Sequence, residues 1–379
     1  MMNRSTPNVS SFLEEMELST RVIWDSLFIS LIFVAILGNL IVLWIVVAHR
    51  SMWTIPNIYI ANMSLSDLLM ATLNCVFNYI FMRDRYWSFG SAYCSINNFM
   101  AIVTISASVL NLTAMSLDRY KAVVWPLKGR TNRVCVTFTI IFIWATSSLL
   151  ALPTLLYSKL TKDPSKGLSV CHLQWPDGNP GYSYFDHVYN VTIFIITYVI
   201  PTLILVMCTS HMSIALWCKP TIGFMTPQLE RAKRKKQKIV KMLIILILIF
   251  SICWFPYHAY FIYTYYRPDV IKMKNIQHIF LLFYWFAMTH SGVNPVVYYL
   301  MNPRFRRFYR HFVTLRFLKR SAHNTSTGLI LASSFGFQVA AQLTYNIEES
   351  TCNSKQSVGV KNVRNSSSIV DTKNRDTHL

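Results

Sequence analysis

Seven long apolar stretches, almost free of charge, restrict this chain more than any other feature: Leu27–Ala48, Ile58–Met82, Tyr86–Leu117, Val134–Ser158, Val188–Cys218, Met242–Tyr266 and Ile276–Met301. Each is long enough to supply the roughly 20 apolar residues with which a helix crosses a bilayer. A helix is the expected form because it satisfies every backbone N–H and C=O within one segment. Pro153, Pro201, Pro256 and Pro295 fall inside these stretches, where spanning helices tolerate proline. Only 14% of the 379 residues are charged, against about 25% in soluble proteins. That is too little charge to coat two or three soluble domains, so an ordinary cytosolic enzyme and a disordered chain are both excluded. The net charge of +20 would suit nucleic acid only on a soluble basic face; no nucleic-acid partner is expected. The chain reads as an all-α membrane protein, a bundle of seven transmembrane helices.

The charges between the stretches orient it. His49 and Arg50, the segment Lys121–Arg133, the run Arg231–Lys241 and Arg304–Arg320 fall on one side, while the other mixes signs, as in Arg83-Asp84-Arg85. Cationic loops stay in the cytoplasm. The expectation is a multi-pass protein of the plasma membrane: residues 1–22 an extracellular N-terminus, 23–318 the seven-helix domain, 319–379 a cytoplasmic tail disordered by its Ser/Thr/Asn/Lys composition. Residues 1–20 have no apolar core, so no cleaved signal peptide is expected. Asn3 and Asn8 begin Asn-X-Ser tripeptides and are expected glycosylation acceptors. From Arg304 to Phe312 cations alternate with aromatics, placing Phe305, Phe308, Tyr309 and Phe312 on one helical face. A short amphipathic helix at about 303–317, lying on anionic membrane lipids, is the expectation there.

Polar groups inside the apolar stretches are costly and therefore informative. Asp67 is the lone carboxylate between Asp25 and Asp84. It is either a protonated, hydrogen-bonded group or the centre of a cation or proton site. Asn39, Ser108 and Asn294 sit at mid-stretch as further oxygen ligands, a set that suits a small hard cation such as sodium; no other metal or cofactor is expected. Asp118-Arg119-Tyr120 closes the third stretch, either as an interfacial pair or as a latch that can change partner. Pro256, after Cys253-Trp254-Phe255, and Pro295, within Asn294-Pro295-Val296-Val297-Tyr298, each kink their helix beside bulky aromatics. Cys94 and Cys171 both fall on the outer side, where a disulfide can form. No metal-ligand spacing or nucleophile motif appears, so there is no catalytic residue to name and no enzyme is expected.

Taken together, Gly38-Asn39, Leu65-Ser66-Asp67-Leu68-Leu69, Asp118-Arg119-Tyr120, Trp144, Pro201, Cys253-Trp254-Phe255-Pro256 and Asn294-Pro295-Val296-Val297-Tyr298 resemble the motif set of a rhodopsin-like G-protein-coupled receptor. They occur in order, one set per stretch, over about 23–312. Within that superfamily the chain looks most like the tachykinin-type neuropeptide receptors. The stretches that carry this likeness are Gln174-Trp175-Pro176-Asp177, Ile214-Ala215-Leu216-Trp217, Lys238-Ile239-Val240-Lys241-Met242, Pro256-Tyr257-His258, Trp285-Phe286-Ala287-Met288 and Met301-Asn302-Pro303-Arg304-Phe305-Arg306.

The resemblance implies an extracellular amidated peptide as ligand and a heterotrimeric G protein, of the Gq class with calcium release, as partner. It also implies a tail read by kinase and arrestin. The ligand residues it implies are Asn74, Asn78, Asn97, Asn98, Trp175, Asn190, His258, Phe261, Tyr265 and Phe280. Its activation residues are Asp118, Arg119, Tyr120, Phe250, Trp254, Pro256, Asn294, Pro295 and Tyr298. Thr154, Asn97 and Asn190 stand where the family usually offers a Gln and two His, so ligand selectivity is expected to differ. Thr209 replaces a frequent Tyr, and Tyr299 replaces a common Cys. The alternatives are a receptor of the same fold for another amidated neuropeptide and, more remotely, an ion or proton transporter using Asp67. No internal repeat supports a transporter. A retinal pigment would need a lysine in the seventh stretch, and none occurs between Lys274 and Lys319.

Overall fold

The computed structural model describes residues 18–125, 131–162, 167–178, 183–218, 226–273 and 275–310. Asn3, Asn8, Phe312 and the tail from 319, with its expected kinase and arrestin sites, lie outside the described residues.

Seven long helices run back and forth: α1 Leu18–Ala48, α2 Ile55–Asp84, α3 Gly90–Val124, α4 Arg133–Tyr157, α5 Tyr184–Cys218, α6 Pro227–Tyr266 and α7 Ile276–Met301. An eighth short helix, α8, occupies 303–310. Their starts follow capping chemistry. The side chains of Asn132, Ser183 and Thr226 accept backbone N–H groups at the first turns of α4, α5 and α6, and Pro227 opens α6 at the position where proline is best tolerated. Between α4 and α5 a two-stranded antiparallel hairpin pairs β1 (Ser158–Lys162) with β2 (Ser169–Leu173), Leu160 opposite Cys171.

Two boundaries differ from the sequence expectation. α1 begins at Leu18, inside the segment expected to be an extracellular N-terminus. α6 begins at Pro227 rather than Met242, because its basic first part continues the apolar part as one helix. Among the described residues, six helices are long and apolar enough to span a bilayer by length and composition, and α7 falls short of that measure. The reason is its polar content: His290, Ser291 and Asn294 are all buried. They face the bundle instead of lipid.

α3 lies at the centre, packed against α2, α4, α5 and α6. In its apolar window 67% of residues are buried, against 22% in peripheral α4. Trp144 of α4 donates to Asn62 Oδ1 of α2 at 2.9 Å, and Asn111 of α3 donates to the Tyr59 carbonyl at 2.9 Å. These amides, which sit in glycosylation-like tripeptides, are thus buried ties between helices. α1 closes the ring against α7, where Gly38 permits close approach: a Cβ there would lie 2.9 Å from Pro295 Cβ.

Candidate functional site

The Cys94 end of the bundle gathers most of the polar side chains that the sequence singles out. α2 makes one π-helical turn at Ala71–Cys75, a local widening often found at functional sites. Asn74 lies in that turn and Asn78 one turn further on. Asn74 Nδ2 donates to the Asn97 carbonyl at 3.2 Å and to Asn97 Oδ1 at 3.3 Å; Asn97 Nδ2 donates to Asn78 Oδ1 at 2.8 Å. Asn78 Nδ2 reaches the Tyr284 hydroxyl at 3.5 Å, and that hydroxyl donates to Asn74 Oδ1 at 3.1 Å. Four side chains from α2, α3 and α7 therefore form a closed ring. Tyr284 is not among the expected ligand residues. The available signal was its position four residues after Phe280, hence on the same helical face.

An aromatic group adjoins the ring. His258 is buried, with ring centroids of Phe194, Tyr198, Trp254 and Tyr257 at 5.4, 5.6, 6.1 and 5.9 Å. Phe261 and Phe280 meet edge to face at 5.9 Å, and Tyr257 connects this group to Tyr284 at 6.4 Å. The remaining expected ligand residues are engaged elsewhere. Tyr265 stacks on His187 of α5 at 3.8 Å. Asn190 donates to the Asp186 carbonyl within its own helix. Trp175 is buried between Tyr157 and Tyr189 and donates to Asp186 Oδ1 at 2.8 Å. Asn98 donates to Ser158 Oγ at 2.9 Å and approaches Cys171 Sγ at 3.6 Å, beside the Cys94–Cys171 disulfide that joins α3 to β2.

In the loop before α5, Asp177 accepts from the Ser183 hydroxyl and from the backbone N–H groups of Tyr184 (2.7 Å) and Phe185 (3.2 Å). Partial desolvation pushes its carboxyl up, but these hydrogen bonds together outweigh it and hold the group below the usual carboxylate range.

Midway along the bundle, Asp67 is fully buried. Ser108 Oγ donates to its Oδ1 at 3.0 Å and Asn294 Nδ2 to its Oδ2 at 2.7 Å. Asn39 directs its amide N–H groups to the carbonyls of Ala35 (2.9 Å) and Ser291 (3.0 Å). The Oδ1 atoms of Asn39 and Asn294 are buried without a hydrogen-bond partner. Below them the Tyr298 hydroxyl meets Met63 Sδ at 3.3 Å. Phe250 and Trp254 are buried beside the Pro256 kink, Phe250 lying 5.8 Å from Tyr198 and 5.6 Å from His290.

At the opposite end Arg119 pairs with Asp118, and Tyr120 packs edge to face on Trp125 at 5.4 Å. Cationic and amide side chains of α6 reach helix ends there: Lys236 Nζ bonds the Ala122 carbonyl at 3.3 Å, Gln237 bonds the Leu216 carbonyl at 3.2 Å, and Lys241 lies 5.9 Å from the Trp217 ring. In α8, Phe305 is fully buried and Tyr309 donates to the Gly38 carbonyl at 3.3 Å. Arg304 and Arg307 are exposed on the other face.

Buried polar knots on α2, α3 and α7, a proline inside each of α6 and α7, and a disulfide from α3 to the following hairpin are the features set beside known proteins. Residues 38–298 match the 7 transmembrane receptor (rhodopsin family). The chain belongs to that family. It is thereby a multi-pass membrane receptor by family, and its relatives are receptors rather than enzymes.

Among curated relatives it is 47% identical over 302 residues to tachykinin-like peptides receptor 86C of Drosophila melanogaster, covering 79% of this chain and 60% of that protein. It is 40% identical over 289 residues to tachykinin-like peptides receptor 99D of the same organism, covering 76% and 56%. The neuromedin-K receptor of Cavia porcellus is 36% identical over 303 residues, covering 80% and 68%. The matched region thus spans less than two thirds of the length of the two fly receptors.

Proposed function

We propose that this chain is a cell-surface receptor for an amidated peptide of tachykinin type, coupling its binding outside to activation of a Gq-class heterotrimeric G protein inside. The observation that carries the ligand class is the 47% identity to a receptor named for tachykinin-like peptides. The Cys94 end faces the exterior, and the peptide enters over the Asn74–Asn78–Asn97 group and the His258–Phe261–Phe280 aromatics. Carboxamide side chains suit a ligand ending in a carboxamide, because both donate and accept hydrogen bonds.

The ligand favours one of two packings of the bundle through its differential affinity for them. Trp254 and Phe250 repack at the Pro256 kink, Arg119 leaves Asp118, and α6 swings away from α3 to admit the G protein. Kinase and arrestin act on the tail, Asn3 and Asn8 carry glycans, and α8 lies on membrane lipid. A sodium ion would be held by the Asp67 carboxylate with Ser108 and the partnerless oxygens of Asn39 and Asn294, supplying a positive charge that favours the resting packing.

The test is intracellular calcium in cells expressing the chain, challenged with a panel of amidated neuropeptides. A dose-dependent response to tachykinin-like amides, lost in surface-expressed His258→Ala and Asn78→Ala, supports the reading. A response only to an unrelated amide keeps the receptor and overturns the ligand class. Sodium-sensitive agonist potency that disappears in Asp67→Asn supports the ion site.

A further inference from the structure

The four-membered ring at the Cys94 end has a direction. Tyr284 donates to Asn74, Asn74 donates to Asn97, Asn97 donates to Asn78, and Asn78 donates to Tyr284. Hydrogen bonds running head to tail polarise one another and hold more firmly than isolated ones. Tyr284 is the one member that is not an amide and the one on α7. Its hydroxyl gives a proton to Asn74 Oδ1 and receives one from Asn78 Nδ2, the same two interactions that one N–H and the C=O of a primary carboxamide would make. The Asn78–Tyr284 link, at 3.5 Å, is the longest in the ring and so the weakest. The ring ties α7 to α2 and α3. The Asp67–Ser108–Asn294 knot ties the same three helices lower down.

We propose that Tyr284 is a specificity-determining latch: its hydroxyl stands in the place of the ligand's terminal carboxamide, and a ligand that takes over its two hydrogen bonds releases α7 from α2 and α3. This rests on the peptide-receptor reading above. A terminal carboxylate cannot substitute. It has no N–H for Asn74 Oδ1 and would place two acceptors against each other. An amide is thus selected by the same exchange that opens the latch. The tyrosine ring itself stays packed against Phe28 and Phe280, which makes the hydroxyl the part that matters.

Tyr284→Phe removes the hydroxyl and keeps the ring. In cells expressing the full chain, its potency for an amidated tachykinin-like peptide rises roughly tenfold, the factor corresponding to one net hydrogen bond no longer in competition. The free-acid form of that peptide keeps its potency, so the amide-to-acid ratio widens, and constitutive G-protein output increases. Asn78→Ala opens the ring from the other side and must raise constitutive output as well, which keeps the test available should Tyr284→Phe fail to reach the surface. A fall in amide potency with a narrowed ratio overturns the proposal, since the hydroxyl is then a ligand contact. Equal shifts for both forms, or none, also overturn it. Were the wild-type chain silent to every amidated peptide, the functional reading would fail by itself. Constitutive output would then decide the latch: a rise in Tyr284→Phe supports it and an unchanged level overturns it.

Discussion

The polar ring at one end of the bundle and the helix termini at the other are held by different chemistry. At the Cys94 end, neutral amide and hydroxyl groups bond one another across α2, α3 and α7, next to a covalent bridge from α3 to β2. At the Asp118 end, charged or amide side chains of α6 lie on the last carbonyls of α3 and α5, and Arg306 does the same for the last turn of α7 through the Tyr299 and Leu300 carbonyls. Cations at helix C-termini satisfy orphan carbonyls and oppose the negative end of the helix dipole. The first kind of contact depends on buried geometry and hardly on salt. The second is weak per contact, screened by salt, and easily exchanged for a contact with another molecule. Ion pairs add to the Cys94 end outside that ring, where Arg83 meets Asp25 at 3.3 Å and Arg21 meets Asp84 at 3.4 Å between α1 and α2.

The contrast can be broken most strongly at the covalent bridge. Cys171→Ser removes the link from α3 to β2 and is expected to cost about 2–5 kcal/mol of stability; radioligand or antibody binding at the cell surface should fall sharply, whereas Cys218→Ser, at an exposed free cysteine, should leave it unchanged. A smaller loss is expected at Gly38, nearer the other end. Gly38→Ala forces α1 from the Pro295 kink, at a cost of about 1–3 kcal/mol for overpacking. The apparent melting temperature of the purified chain should drop, and a variant of wild-type stability would show that α1 and α7 can separate freely.

Smaller still is Lys236→Met, which removes a cation from the end of α3. The effect should be at most about 1 kcal/mol and should vanish in high salt. If Lys236→Met and the wild type unfold alike already at low salt, the electrostatic account of that end is wrong. The smallest effect concerns pH at the Cys94 end. Asp177 has its carboxyl lowered in the fold, so its contribution is present above the ordinary carboxylate pKa and is lost as pH falls through the lower folded value. Exchange of the Tyr184 and Phe185 amide protons should accelerate, relative to an Asp177→Asn variant, only below about pH 4.

Much of this was legible in the residue order, and for a clear reason. In lipid a helix has to satisfy its own backbone, so apolar length alone announces a span, and a charge such as Asp67 within one announces a buried polar site. The same logic marks α7 as well, at Ile276–Met301, even though its inward-facing His290, Ser291 and Asn294 lower its apolarity. It marks only the apolar part of α6, since the basic segment ahead of Met242 continues the same helix without an apolar signal. The family motifs, the kinks and the Cys94–Cys171 pair are local or ordered features that the sequence displays directly.

Which polar groups meet was another matter. The amide side chains of Asn74, Asn78 and Asn97 could serve a ligand or one another from sequence; in the fold they serve one another and Tyr284. Trp175, Asn190 and Tyr265 carry the right chemistry for a peptide site, yet their side chains are committed to Asp186 and His187. Asn39 belongs by spacing to the Asp67 group, yet its N–H groups go to backbone carbonyls. The sequence by itself determined the spans and the residues expensive enough to matter, because burial cost is a property of each residue in lipid. Only the tertiary structure decided the partners, because a hydrogen bond depends on distances of tenths of an ångström between helices far apart in the chain.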